Sequence, residues 1–507
     1  NKNWILDIAI GAGAAVNTAS EGKGFQAAVG GSASANTLKP TIEAYINKST
    51  IDMAEGKNGN IKTTLNAKND IDIINIAGGG AYMHGGSSGL AAGAAFNYNN
   101  VKNTINTYIK DSTLNNIGAL TLLADADNNL NDFAIAGAIV TGTDGSAFNF
   151  AGGINVDYVH DTICSKVVNS TISANNNIDI KANSKSDNLA VAGTLDVTTA
   201  QNGAGVNGDV VVNVYRNDIT SEIDKDSKIL KAKDVNVAAT STEKSNVIPV
   251  GVSVATGSQF LMAAANVGVN VIDNSVKAYV SGNIGKGENA QAVNSINAAA
   301  YDETTLYSRG GTVALASADA VANIAGSVNV DVLDKTVEAK IKDADIKANG
   351  DVTAIATSIN SMGGTKNSSG SYSRDDVTQD SYKEKMLNKN SDGEYVGLKQ
   401  NSDFVNWNMF YDLSAGANVS VGGAAIVKTI QNTVTSEVSN SKIEADNLSV
   451  IASDYSIKNI LAGAVSASGK GSVGLQALVT KDRSTTQALI TNGSKLNISN
   501  TNKLLSN

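Results

Sequence analysis

The side chains able to do chemistry are few and scattered. Histidine occurs twice, at His84 and His160, about one repeat apart and with different neighbours. A shared histidine site for nucleophilic catalysis or metal binding is therefore not expected, and each ring is expected at the surface or a coil edge. The single cysteine, Cys164, excludes an internal disulfide; its alternating context, Asp161-Thr-Ile-Cys-Ser-Lys-Val-Val, predicts a small buried hydrophobe. Gly203-Ala-Gly-Val-Asn-Gly208 and Gly469-Lys-Gly-Ser-Val-Gly474 have the glycine spacing of a dinucleotide loop. Neither precedes a helix-length amphipathic segment, so both read as turn glycines. The pairs Asp125/Asp127 and Asp375/Asp376 could act as acid and base of a polysaccharide-degrading β-helix. Asp125 and Asp127, however, lie in a polar run where other repeats carry Ser, Lys or Asn, and solvation accounts for them. The calcium-binding Gly-Gly-x-Gly-x-Asp nonapeptide does not occur. No catalytic, cofactor or metal residue is assigned, and the expectation is a protein that works without catalysis.

What positions these residues is a repeat. A phrase closes at Ala44-Tyr-Ile-Asn-Lys-Ser-Thr-Ile51, Thr107-Tyr-Ile-Lys-Asp-Ser-Thr-Leu114, Ser165-Lys-Val-Val-Asn-Ser-Thr-Ile172 and Glu222-Ile-Asp-Lys-Asp-Ser-Lys-Ile229. Further copies end at Ile284, Ile346, Ile443 and Leu496, giving spacings of 63, 58, 57, 55, 62, 97 and 53 residues. A period near 57 over the whole length means that each module buries its apolar face against its neighbours, so function belongs to the surface of an array.

Each module opens on a short alternating strand, such as Asp70-Ile-Asp-Ile73, Asn177-Ile-Asp-Ile180 or Asp234-Val-Asn-Val237. A polar run, a Gly/Ala-rich apolar middle such as Ile135-Ala-Gly-Ala-Ile-Val140, and a further strand such as Val210-Val-Val-Asn-Val214 follow. These features predict an all-β protein, an elongated parallel β-helix (β-solenoid), right-handed by analogy. Coils of about 20 to 25 residues would put two to three coils in a module and make a rod on the order of 100 Å or more. The competing architecture, an outer-membrane barrel, is disfavoured by missing aromatic girdles and very polar strand phrases. Gly and Asn are expected at left-handed coil corners, and Pro40 and Pro249 at a turn or strand edge.

The bulk numbers agree: 48 Gly, 2 Pro and 5% aromatics suit stacked strands better than a round core. A net charge of -9 with scattered basic residues argues against nucleic acid. No apolar run is long enough for a membrane-spanning helix, and the start at Asn1 without a leader suggests an excised segment.

One interval breaks the period. The excess of the 97-residue interval falls at roughly 361 to 407, dividing the chain into solenoid modules over 1–360, an extra-helical insertion over 361–407 and continued solenoid over 408–507. The insertion is dense in aromatic and charged residues. Tyr372, Arg374, Tyr382, Tyr395, Phe404 and Trp407 are its candidate host-contact residues, because aromatics held away from a scaffold make binding hot spots.

The phrases Asn66-Ala-Lys-Asn-Asp-Ile-Asp-Ile73, Val168-Asn-Ser-Thr-Ile-Ser-Ala-Asn175 and Asn177-Ile-Asp-Ile-Lys-Ala182 resemble those of the filamentous haemagglutinin-type adhesins of Gram-negative bacteria. With the Asn/Lys-rich, Pro-poor composition, the resemblance is to the fusobacterial leukotoxin-type branch and covers essentially all modules. It implies a large secreted virulence exoprotein, exported through an outer-membrane partner barrel that recognises a region outside this chain. It also implies a secreted or bacterial cell-surface location and contact with leukocytes or epithelial cells through an unidentified receptor. It supplies no catalytic motif for these residues.

Overall fold

A strand continues for as long as the chain can alternate its two faces without needing a turn, and this chain does so for more than twenty residues at a time. The computed structural model describes residues 1–17, 24–53, 61–85, 88–142, 145–257, 260–317, 319–362, 387–389, 395–398, 408–458 and 460–507. In it the phrase-ending residues form one file: Ile51 pairs with Leu114, Leu114 with Ile172, and so through Ile229, Ile284, Ile346 and Ile443 to Leu496. The file advances one layer per repeat, so one module is one coil. The expected division into coils of about 20 to 25 residues is therefore incorrect. The Gly/Ala-rich middles do not turn; they continue the same strand with small residues inside, and the chain first bends at positions such as Gly85, with φ of +79°.

Two parallel walls result. The first contains β1 (Lys2–Val16), β5 (Lys62–His84), β8 (Ala119–Thr141), β11 (Ile178–Thr198), β14 (Asp234–Ala255) and β16 (Ser295–Leu315). Its next layer is split into β18 (Asp351–Met362) and β21 (Asn408–Ala415), both paired with β16, and its eighth comprises β23 (Lys442–Lys458) and β24 (Ile460–Ala467). Along this layer β18 ends at Met362 opposite Leu306, and the pairing resumes in β21 with Met409 opposite Arg309. The second wall stacks β2 (Phe25–Leu38) with β3 (Thr41–Asn47), then β6 (Ser88–Lys110), β9 (Ser146–Val168), β12 (Asn202–Ile223), β15 (Leu261–Ile284), β17 (Ala322–Lys347), β22 (Val419–Ser439), and β25 (Gly471–Asp482) with β26 (Thr485–Thr491).

Short strands β4 (Thr50–Asp52), β7 (Thr113–Ile117), β10 (Thr171–Ala174) and β13 (Lys228–Lys231) line the corner, and β27 (Lys495–Ser506) lies on β23. A separate antiparallel pair joins β19 (Leu387–Lys389) to β20 (Tyr395–Leu398). The protein is all-β, a long parallel sheet wrapping into a β-solenoid. Eight layers at roughly 4.8 Å each give a stack about 40 Å high, against strands roughly 75 Å long. The described chain is a broad slab, shorter along its axis than the rod expected from smaller coils.

The half of each coil nearest the corner holds the main core, in which Ile109, Ile172, Ile180, Ile229, Val276 and Ile341 are fully buried. The corner itself needs left-handed backbone, supplied by Lys48, Asp111, Asn169, Gly282, Asp343, Asn440 and Asn492, with φ from +43° to +79°. The serine that follows makes a ladder. Ser49 N donates to Ser112 Oγ (3.1 Å), Ser112 N to Ser170 Oγ (3.1 Å) and Ser170 N to Ser227 Oγ (3.3 Å). Ser170 Oγ itself donates to Val168 O at 2.7 Å. The Ser170→Ala variant leaves the buried Ser112 N–H without its acceptor and is expected to cost about 1 kcal/mol, read as a lower urea midpoint at unchanged slope. Tyr45 and Tyr108 stack in register with centroids 4.9 Å apart, one layer of the solenoid.

Pro40 lies between β2 and β3, as expected of a turn. Pro249 does not: it is inside β14, where the ladder to β16 has a gap between Val247 and Val250. The missing N–H is tolerated because only that local pairing is lost.

Candidate interaction surface

The polarity of the walls inverts along each strand. Near the corner, apolar residues point in and polar residues point out, where Lys68 meets Asp125 at 3.0 Å and Lys185 meets Asp127 at 3.2 Å across neighbouring coils. The candidate acid pair Asp125/Asp127 is thus engaged by lysines on the outer surface. At the adjacent apolar doublets Ile73-Ile74, Val214-Tyr215, Val271-Ile272 and Val332-Leu333, the apolar set changes face. Beyond the doublets the interior carries Gly, Ala, Ser, Asn and Asp, while Val, Ile, Leu and Phe face outward.

Close approach of the walls explains the small interior. A Cβ on Gly79 would fall on the carbonyl oxygen of Ala94, and one on Gly93 on that of Gly137. Small or planar side chains predominate there, with Met83, Val140, Val211 and Met262 among the few larger ones admitted, so most bulky apolar residues are left to the outside.

On the first wall, one outward file reads Ile10, Gly78, Ile135, Gly193, Val250, Gly311, Tyr411 and Gly463 from layer to layer. Large residues alternate with glycine; Ile10 is 76% exposed and Ile135 55%. The neighbouring file reads Ala12, Gly80, Gly137, Leu195, Val252, Val313, Leu413 and Val465, small in the early layers and large in the late ones. Two depressions mark this face, one of about 380 Å³ around Gly80 and Gly137, the other of about 320 Å³ around Gly311 and Tyr411.

The second wall carries its own apolar band. Phe148 and Phe150 are 46% and 47% exposed, and the Val210/Val267/Val328 and Val212/Val269/Val330 files continue it. The band ends at the charged file of Lys102, His160, Arg216, Asp273 and Asp334, where Arg216 lies 3.8 Å from Asp273. Exposed apolar residues grouped in this way make the face a candidate interaction surface.

Inside, buried amides and carboxylates form columns through the layers. Asn75 donates to Asp132 (2.7 Å), Asn99 to Asp132 (2.9 Å) and Asp157 (2.8 Å), and Asn188 to Asp157 (2.8 Å). A second column runs through Asn103, Asp161, Asn217, Glu243, Asn274 and Asp302 to Lys335. A third includes Asn149 with Asp196 at 2.8 Å and Thr194 with Asp209 at 2.8 Å. Burial pushes Asp196 and Asp209 up to about 7. Burial, then the neighbouring Asp302 charge, pushes Glu243 to about 8; burial, then Asp157, pushes Asp132 to about 9.

Of the residues singled out in the sequence, Tyr372, Arg374, Tyr382, Phe404 and Trp407 lie outside the described residues, as do Asp375 and Asp376. Tyr395 begins strand β20. His84 is exposed at a coil edge, its Nδ1 2.9 Å from Thr141 Oγ1, and His160 is on the opposite wall, 3.7 Å from Asp218. Cys164 is only half-buried and faces outward on β9, not into the core; burial pushes its thiol up. Gly203, Gly205 and Gly208 are not turn glycines but lie within β12, where a Cβ on Gly205 would meet Asp196 Oδ2 at 2.5 Å. Gly474 is likewise inside β25.

The architecture places the chain among parallel β-solenoid proteins with one very long coil per repeat. No family model matches the chain, and neither a curated protein nor a solved structure matches it.

Proposed function

We propose that this chain is an internal repeat segment of a secreted bacterial virulence exoprotein of the leukotoxin or adhesin type, and that it binds host cells, leukocytes above all, without catalysis. The observation that carries this reading is the apolar band on the second wall, a rigid exposed surface ending sharply at a charged file. The repeat style described above points the same way. Export through an outer-membrane partner and a cell-surface or extracellular location belong to the same proposal.

Fluorescently labelled chain is expected to bind leukocytes at micromolar concentration or below. Replacing both Phe148 and Phe150 with Ser is expected to weaken binding roughly tenfold or more, since exposed aromatics are the anchors of such surfaces. Replacing residues 361 to 407 with a Gly/Ser linker is expected to leave binding in place. Loss of binding in the linker variant alone would move recognition to the insertion. No binding by the parent chain would make the segment a stalk that presents an adhesive region elsewhere.

A further inference from the structure

We propose that the outer face of the first wall is a self-association surface, on which a second copy of this chain packs face to face about a two-fold axis. The axis runs along the strand direction and passes between the fourth and fifth layers, β11 and β14. This inference uses the wall not invoked for cell binding and does not rest on that reading.

Large and small residues follow one another along this face in an order that a two-fold makes complementary. A two-fold along the strands keeps each file opposite itself and sets the first layer against the eighth, the second against the seventh, the third against the sixth and the fourth against the fifth. In the alternating file Gly78 then faces Tyr411, Ile135 faces Gly311, and Gly193 faces Val250. In the next file Gly80 faces Leu413 and Gly137 faces Val313. Each of these large side chains meets a glycine, and each depression receives side chains from the other copy. The first file reaches this complementarity by strict alternation and the second by small early and large late layers, except at its centre, where Leu195 faces Val252 and two large side chains meet beside the axis. A parallel arrangement that sets each layer against its own copy would put glycine on glycine and isoleucine on isoleucine.

Size agrees with the pattern. Eight layers of about 4.8 Å by roughly 20–25 Å of apolar strand give about 900 Å² per copy. Doubled, that is a standard-sized stable interface. Sheets packed this way sit about 10 Å apart, a gap that interdigitated side chains fill. The symmetry is closed, so the pair ends the association on this face.

The test is the oligomeric state of the full chain by sedimentation velocity from about 0.1 to about 100 μM, on the order of the dissociation constants such interfaces give. A dimer is expected. Gly193→Val sets valine against Val250 at both symmetry-related positions and is expected to weaken dimerisation roughly a hundredfold. A Cβ at Gly193 approaches only the Val250 carbonyl oxygen, at 4.0 Å, so the fold should hold, checked by an unchanged circular dichroism melt. Val250→Gly sets glycine against glycine and is expected to weaken the dimer as well. The double variant Gly193→Val/Val250→Gly exchanges knob and hole and is expected to restore association. A monomer throughout would overturn the proposal, as would a dimer indifferent to both single variants or a double variant no better than either. A monomeric chain that floats with phosphatidylcholine vesicles, and loses flotation on Ile135→Asp, would overturn it in favour of a lipid-facing surface.

Discussion

Raising the pH from about 4 to about 9 is expected to destabilise the protein progressively, with the melting temperature falling most steeply between about pH 5 and about pH 7 and levelling off as the folded-state carboxylates ionise in turn. The cause is the set of carboxylates inside the narrow half of the coils. Asp132, Asp157, Asp161, Asp196, Asp209 and Glu243 are all buried. Burial raises each of them, to about 9 for Asp132, about 8 for Glu243 and about 7 for Asp196 and Asp209. In the unfolded chain the same groups ionise near their ordinary values of about 4. Between those limits the folded state holds protons that the unfolded state has released, so stability is complete below about pH 4 and is lost as the pH rises through the folded values.

The Asp132→Asn variant tests the assignment. It mimics the protonated form in a site where Asn75 and Asn99 already supply donors. It is expected to be close to the parent at pH 5 and more stable at pH 9 by at least about 2 kcal/mol, a tenfold difference in proton affinity between the folded and unfolded chain being worth about 1.4 kcal/mol. A melting temperature that is flat or rises between pH 5 and 9 would show that these carboxylates are hydrated and ionised in the folded state.

How much of this the sequence announces depends on the residue. The corner is fully legible, because Ile51, Leu114, Ile172 and Ile229 recur in one phrase and the phrase carries its own turn. Coil size is not. Runs such as Ile135-Ala-Gly-Ala-Ile-Val140 contain the small residues of a turn, and only the opposing wall reveals that they are small to let two sheets approach. The inverted polarity does leave a trace: at Val214-Tyr215, Val271-Ile272 and Val332-Leu333, two large apolar residues stand side by side where strict alternation allows one. Such a doublet marks the position where the buried set changes face. The interior carboxylates leave no comparable trace. Asp157 is buried and Asp218 exposed, yet both follow the same local alternation, and only the layer register brings Asn99 and Asn188 onto Asp157.

Replacing Lys335 with Met is expected to cost about 3–5 kcal/mol at neutral pH. Lys335 and Asp302 are both completely buried and in direct contact, and Asn274 bridges Asp302 to Glu243 at 2.9 Å on each side. The lysine is therefore the direct partner of Asp302, while Glu243, pushed up to about 8, is linked to it only through Asn274. Removing it leaves Asp302 charged in a site sealed from water, and part of the loss is the cost of that orphaned charge rather than the value of the ion pair. The double variant Lys335→Met/Asp302→Asn separates the two contributions. It removes both charges and is expected to recover most of the lost stability, because a buried pair repays little beyond its own desolvation. Chemical denaturation of parent, single and double variants at pH 8 reads both. A single variant as stable as the parent at pH 8 would mean that water reaches the column, and the polar interior would then act as a wetted channel through the stack rather than a closed network.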